Sequence, residues 1–299
     1  MTFARKDAIR QGVARCFFVA FLLTQVAVAE EAILTGFDAL TRPGDEVVLL
    51  AKLEKAGLTR SDIEGEEIDF FLDELFLGSS TTGDDGTAGI TTSQTIPGEH
   101  SVTVSLAKGS KYMAKPDTLL LAVWDKSTRI FVCDLDHTLA DVNGLQFLRR
   151  QNKDIPTLPG APGALQKLDE IYNIVYVTGR DDIFTRKTNS WLQANLFPVG
   201  PVFYWDFLGG PFSHGKFKRN LIAEFKKSFA RIEAGAGDLA TDASAYLENG
   251  IQAFILIGKE HDEDLPKEAK QVESWKEIVE QLTVATEADD RSFPNGDEK

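Results

Sequence analysis

Residues 129–139 read Arg129-Ile130-Phe131-Val132-Cys133-Asp134-Leu135-Asp136-His137-Thr138-Leu139, a short apolar run that stops at two carboxylates two positions apart, with a threonine close behind. Ile130 to Cys133 has the length and apolar continuity of a strand buried on both faces, as in a parallel sheet. In such a sheet the carboxyl ends of the strands leave the core and face a crevice, and ligands bind there. Asp134 and Asp136 are therefore expected at a crevice mouth. Two like charges so close resist joint ionisation unless a cation or a shared proton relieves them.

Outward from this stretch, residues 127–288 alternate strand-length apolar runs with helical patterns, the mark of a parallel α/β sheet. The expected strands are RIFVCDLD (129–136), NIVYVTGR (173–180), PVFYWDF (201–207), ARIEAGAG (230–237) and AFILIG (253–258). Helices are expected over roughly 161–171, 182–195, 216–228, 241–249 and 270–285. The residues from 289 to 299, with Pro294 and Gly296, read as a disordered tail. Upstream, residues 30–126 read as all-β. Apolar runs at AILTGFDAL (32–40), EVVLLAKLEK (46–55), EIDFFLDELFLG (67–78), HSVTVSLA (100–107) and TLLLAVWD (118–125) are punctuated by RPGD, TTGDDG and IPGE turns. That rhythm predicts a β-sandwich. Only Lys126-Ser127-Thr128 separates the two parts, which predicts a fixed relation between them.

The candidate chemistry begins with Asp134 as a carboxylate nucleophile on phosphorus. Asp136 is the candidate acid that protonates the leaving alcohol, and then the base that activates water. Thr138 follows as a further hydroxyl near the same strand end. Thr178 and the Gly179 amide, ending the second α/β strand, can hydrogen-bond phosphoryl oxygens, and Arg180 offers either a bidentate phosphate contact or a salt bridge. Lys218 can neutralise charge on those oxygens, with Lys216 as the alternative lysine; Lys218 is preferred because Leu221 and Ile222 follow at helical spacing. Asp238 and Asp242 join Asp134 and Asp136 as candidate ligands for Mg²⁺, which takes hard oxygen donors.

In their chain order, DLDHT, VTGR, a downstream lysine and GDLATD resemble the four motifs of the haloacid dehalogenase (HAD) superfamily, across about 155 residues. The resemblance implies a Rossmann-like fold, an aspartyl-phosphate intermediate on Asp134 and a Mg²⁺ cofactor. An acid at position 136 implies a phosphatase or phosphotransferase rather than a dehalogenase. IVYVTGRDDIFTRKTNSWLQANLFPVG and GDLATDASAYLENGI further resemble the lipin-type domain of lipins and of phosphatidylinositol transfer proteins. Lipins are phosphatidate phosphatases, whereas the transfer-protein version senses phosphatidate and lacks the first aspartate. Asp134 is present here, which implies catalysis. His137 stands where the lipin pattern DxDGT has glycine, and is expected to be a bystander. In the first half, Thr81 to Ala88 and Pro97 to His100 resemble the turns of bacterial Ig-like domains. Asp84 and Asp85 there read as a solvated turn.

Thr178 follows Asp134 by 44 residues and Lys218 follows Thr178 by 40, intervals nearly filled by the helices and strands of the sheet itself. With no room for a large cap, the site is expected to be open and to suit a bulky phosphoester such as a phospholipid headgroup. The sandwich is the remaining element that can shade it.

The N-terminus carries Arg5, Lys6, Arg10 and Arg15, then an apolar stretch from Cys16 to Ala29 that closes on Ala27-Val28-Ala29. This reads as a signal peptide over residues 1–29, too short to span a bilayer, which needs about 20 apolar residues. Export to the periplasm or the medium is the expected fate, with no transmembrane segment left after the signal is removed. Cys133 then stands without a cysteine partner, so no internal disulfide is expected, and its apolar neighbours predict a buried small hydrophobe. The formal charge of −14 argues against nucleic acid as a partner. The sequence specifies no oligomeric state.

Overall fold

The computed structural model describes residues 30–57, 60–205, 214–257 and 264–292. The expected signal peptide lies outside them.

The first half is a two-sheet sandwich. Its strands are β1 (Glu30–Phe37), β2 (Ala39–Thr41), β3 (Glu46–Lys55), β4 (Glu67–Leu72), β5 (Leu75–Thr81), β6 (Thr87–Ser93), β7 (Gly98–Leu106), β8 (Tyr112–Met113) and β9 (Asp117–Val123). One sheet runs β6-β3-β1-β8 and the other β2-β9-β7-β4-β5, the chain changing sheets at Asp38. Period-two alternation sends Leu49, Ala51 and Leu53 of β3, and Val102 and Val104 of β7, into the shared interior. The apolar run 67–78 divides into two strands at Asp73 and Glu74. Both adopt positive φ, as a tight two-residue hairpin turn requires. Thr87–Ser93, rich in threonine, forms an edge strand against β3 that the apolar pattern does not announce.

The second half is a six-stranded parallel sheet with helices on both faces. The order along the chain is β10 (Arg129–Cys133), α1 (Gly144–Arg149), α2 (Ala161–Asp169), β11 (Asn173–Thr178), α3 (Thr185–Ala194), β12 (Val202–Tyr204), α4 (His214–Ser228), β13 (Arg231–Gly237), α5 (Ala240–Glu248), β14 (Gln252–Leu256), β15 (Lys270–Val272) and α6 (Trp275–Ser292). The spatial order is β12-β11-β10-β13-β14-β15, all parallel. The chain therefore winds outward in both directions from β10 and β13, the Rossmann arrangement, and the switch point between those two strands opens a crevice at their carboxyl ends. Along β10, Phe131 and Cys133 enter the core on one face and Ile130 and Val132 that on the other. Burial on both faces is the reason the run is apolar without alternation.

Two expectations near the C-terminus are corrected. Lys270–Val272 is a sixth strand rather than the start of a helix. The last helix begins at Trp275 and runs to Ser292, into the segment expected to be disordered; residues 293–299 lie outside the described ones. No helix among the described residues is long and apolar enough to cross a membrane.

The halves are joined by more than the 126–128 turn. Ala122 and Trp124, at the end of β9, pack into the α/β core with Ile130, Val132 and Phe229. Arg186 of α3 donates to the Leu34 carbonyl, and Lys52 of β3 pairs with Asp182 at 3.4 Å. Asp38 accepts the N–H groups of Leu120 at 2.8 Å and Val202 at 3.0 Å, tying the sandwich to the edge strand β12. Burial raises the Asp38 carboxyl to about 6 against the pull of those two N–H groups, and Asp117 adds to the rise.

A folded-state value above the ordinary one penalises ionisation in the fold. Stability is therefore expected to fall as pH rises through about 4 to about 6 and then to level off. Asp38 is half-buried and lines two open grooves, which holds its share to about 1–2 kcal/mol. Asp38→Asn should flatten the profile by that amount, while leaving one backbone N–H without an acceptor at every pH. Denaturant midpoints measured across this range check it; an undiminished slope would assign the effect to other carboxylates.

Candidate active site

The crevice at the switch point is built from the ends of β10, β11 and β13 and from the first turns of α4 and α5. Asp134, one residue past β10, is 4% exposed, and its N–H donates to the Ala236 carbonyl of β13 at 3.0 Å. Lys218, on α4, is also buried. Its Nζ donates to Asp134 Oδ1 at 2.5 Å and to Asp242 Oδ1 at 2.6 Å, while Lys216 is exposed. The helical spacing that favoured Lys218 holds because Phe217, Leu221 and Ile222 seat α4 on the sheet.

Asp242, in the first turn of α5, also accepts the N–H groups of Asp238 and Leu239 at 3.3 and 3.2 Å. Gly237 makes that closeness possible, since a Cβ there would lie 2.5 Å from the Asp242 Cβ. Thr138 donates to Asp134 Oδ2 at 3.4 Å and is held from behind by Trp275 Nε1, which donates to its carbonyl at 2.8 Å. Thr178 ends β11, fully buried, and its hydroxyl accepts the Arg180 N–H at 3.2 Å. Gly179 lies half-buried between them.

One oxygen from each of Asp134, Asp238 and Asp242 lies within 4.8 Å of the others. Burial raises Asp134 to about 7 even against the adjacent Lys218 ammonium, and burial with the charges of Asp134 and Asp242 raises Asp238 to about 8. Burial alone would push Lys218 down, but Asp134 and Asp242 outweigh it and hold the ammonium firmly charged. Asp134 and Asp242 thus share one ammonium, with Asp238 close by in the same poorly solvated pocket, and the raised proton affinity of Asp134 and Asp238 reflects burial first and neighbouring negative charge second. Such a cluster fits a hard divalent cation.

Asp136 stands apart. Its carboxylate is not in that cluster, contrary to its expected place among the metal ligands, because the buried Arg180 guanidinium takes it. Arg180 Nη2 donates to Asp136 Oδ1 at 2.7 Å, and Nε reaches both oxygens at 3.1 and 3.3 Å. Of the two readings of Arg180, the salt bridge is the one formed. A guanidinium 2% exposed needs a charge partner, and Asp136 supplies it. Two neighbours that the sequence does not signal complete its cage: Thr188 accepts from Nη1 at 3.1 Å, and the Phe147 ring centroid lies 3.6 Å from the Arg180 Cζ.

His137 is exposed with φ +52°, a left-handed conformation. The turn after Asp136 thus needs the backbone freedom for which the lipin pattern uses glycine, and histidine is among the residues that tolerate it. Cys133 is buried, and burial raises its thiol well above the ordinary range, which leaves it unreactive. Asp84 and Asp85 lie in an exposed turn in which Asp85 accepts the Thr87 N–H at 2.9 Å.

Comparison with known proteins follows this geometry. Residues 131–256 match the model of the LNS2 domain of PITM 1-3. The human membrane-associated phosphatidylinositol transfer protein 3 is 33% identical over 106 residues, 34% of this chain and 10% of that protein. The human membrane-associated phosphatidylinositol transfer protein 2 is 25% identical over 234 residues, 73% of this chain and 16% of that protein. The matches thus span at most about a sixth of the length of these relatives. Among solved structures, the D,D-heptose 1.7-bisphosphate phosphatase from B. bronchiseptica, complexed with magnesium and phosphate, overlaps 53% of this chain and 99% of its own, with TM-score 0.42 and 15% identity. Fibronectin(III)-like modules of Clostridium thermocellum CbhA overlap 32% of this chain and 48% of their own, with TM-score 0.25 and 15% identity.

Proposed function

We propose that this chain is an exported, Mg²⁺-dependent phosphomonoesterase that works through an aspartyl-phosphate on Asp134, with a bulky phosphoester, phosphatidate foremost, as substrate. The observation that carries the reading is the buried Asp134–Lys218–Asp242 arrangement at the switch point, with a second acid two residues from the first. In this reading an Asp134 oxygen attacks phosphorus and the P–O bond to the alcohol breaks. Asp136 gives its proton to the departing alkoxide, then takes one from the water that hydrolyses the acyl phosphate and restores the Asp134 carboxylate. Thr178 and the Gly179 N–H hold phosphoryl oxygens, and Lys218 balances their charge from beneath. Mg²⁺ held by Asp134, Asp238 and Asp242 would supply charge neutralisation at the transferring phosphoryl group.

Phosphate release from an aryl phosphate tests this reading. Activity should need added Mg²⁺ and vanish on chelation. Asp238→Ala should raise the Mg²⁺ needed for half-maximal rate by about 10–100-fold. Full activity after exhaustive chelation would remove the metal from the scheme. The match to a transfer-protein domain favours a second reading, phosphatidate binding without turnover. Retained Asp134 stands against it, and a protein that binds phosphatidate micelles yet releases no phosphate would establish it.

Arg180 separates two roles by its kinetics. If its fork orients Asp136, Arg180→Met should repeat the pattern of Asp136→Asn: a loss of about 10²-fold or more on an alkyl phosphate, and a smaller one on an aryl phosphate whose leaving group needs little protonation. Equal losses on both, carried by KM, would make Arg180 a phosphate ligand instead.

A further inference from the structure

The mouth of the crevice is edged with exposed aliphatic side chains, although its walls are polar. Three of the loops that follow the sheet strands contribute them. Leu145 and Leu148 of α1, after β10, are 56% and 52% exposed; Ile183, after β11, is 37% exposed; and Leu239, beside Asp238 after β13, is 43% exposed. The short helix α1 turns Phe147 inward and its two leucines, three positions apart, outward.

The leucines are fixed in that position by contacts on their inner side. A Cβ on Gly144 would lie 3.7 Å from Asp136 Oδ2, so α1 begins against the candidate acid. The Phe147 ring is held between the Arg180 guanidinium and Phe184, the neighbour of Ile183, at a ring separation of 6.2 Å. Lys187 Nζ donates to the carbonyls of Phe147 and Arg150 at 2.5 Å and of Leu148 at 3.1 Å, tying down the end of the helix.

The charge of the α1 edge of this rim differs from that of the chain, whereas Asp181 and Asp182 precede Ile183 and Asp238 precedes Leu239 on the other edges. Arg149, Arg150 and Lys153 are exposed beside the leucines, against one acid, Asp154, in the same segment and Asp141 just before it, in a chain of formal charge −14. Outward leucines interleaved with cations, at the opening of a crevice whose nucleophile is almost fully buried, have the chemistry that an anionic lipid bilayer recognises. We infer that the α1 rim rests on such a bilayer, with Leu145 and Leu148 entering the headgroup boundary and Arg149, Arg150 and Lys153 against lipid phosphates. The phosphoester is then met at the surface rather than drawn into solution. The acidity of the rest of the chain does not forbid this, because charges farther from the surface than a Debye length, about 8 Å at physiological salt, are largely screened. The inference deepens the phosphatase reading and depends on it only for what the crevice does once the rim is seated.

The test uses the full chain and sedimentation with two kinds of vesicle, phosphatidylcholine alone and phosphatidylcholine with phosphatidylglycerol. Binding is expected to the second kind and to weaken with salt. Leu145→Ser with Leu148→Ser, and separately Arg149→Glu with Arg150→Glu, should each weaken it by about tenfold or more. Both variants should turn over a soluble aryl phosphate at the wild-type rate, so that a failure of the rim and a failure of the phosphatase reading appear in different assays. Undiminished vesicle binding by either variant overturns the inference, as does equal wild-type binding to both vesicles. So does wild-type self-association without vesicles that the leucine variant abolishes, since the rim would then be a contact between copies.

Discussion

Asp134→Asn is expected to release no measurable phosphate from any ester, a loss on the order of 10⁵-fold or more, as when a nucleophile is removed from a covalent mechanism. The amide is nearly isosteric and cannot attack phosphorus. The fold should survive, because Lys218 keeps Asp242 as its partner at 2.6 Å and the Asp134 N–H keeps its bond to Ala236. Circular dichroism and the denaturation midpoint establish that; malachite-green detection on extensively purified protein measures the rate. Activity within tenfold of wild type would move the nucleophile elsewhere and, with it, the aspartyl-phosphate.

Lys218→Met should damage both stability and rate. The methionine fills most of the volume but leaves Asp134 and Asp242 facing each other in a buried site, and breaking such a pair from one side typically costs about 3–5 kcal/mol. Asp134 already stands at about 7 with the ammonium present, and removing that ammonium raises it further. A carboxyl raised in the fold loses stability as pH rises from about 4 through its folded value, so the variant should be closest to wild type in mild acid and worst above neutrality. Mg²⁺ should recover part of the loss if the acidic cluster holds it, which makes the midpoint with and without the ion a readout independent of turnover. Turnover should fall by about 10²–10³-fold, the usual effect of removing one stabiliser of transition-state charge. A variant as stable as wild type at every pH would mean that the two carboxylates share a proton rather than an ammonium.

The parallel sheet and the main acidic cluster were legible in the sequence because both depend on strands buried on two faces. Such a strand must be continuously apolar, and its end must be polar where it leaves the core, so Ile130 to Asp134 and Ile174 to Thr178 carry their own boundaries. What escaped lies where packing is one-sided or tertiary. Thr87–Ser93 and Lys270–Val272 form edge strands whose pairing needs no apolar run. The helix α1 buries only Phe147 and shows its leucines to solvent, the reverse of an amphipathic pattern. Phe147 and Thr188 enclose Arg180 through contacts between separate elements, which no spacing encodes. The sequence placed Asp136 beside Asp134 without revealing that its carboxylate turns toward a guanidinium and away from the acidic cluster. By contrast, His137 was visible as a departure from the expected glycine, and its positive φ supplies the reason glycine suits that turn.

Trp124 and Ala122 belong by chain position to the sandwich and by packing to the α/β core. A recombination break at the 126–128 turn would therefore deliver an α/β half with a hole in its interior, and the first half would carry off a tryptophan with nothing to cover it. The two parts are not exchangeable cassettes on a string. Any ancestor that acquired the sandwich had to inherit or rebuild the wall of its neighbour at the same time, so the halves are expected to travel together through evolution as one heritable piece.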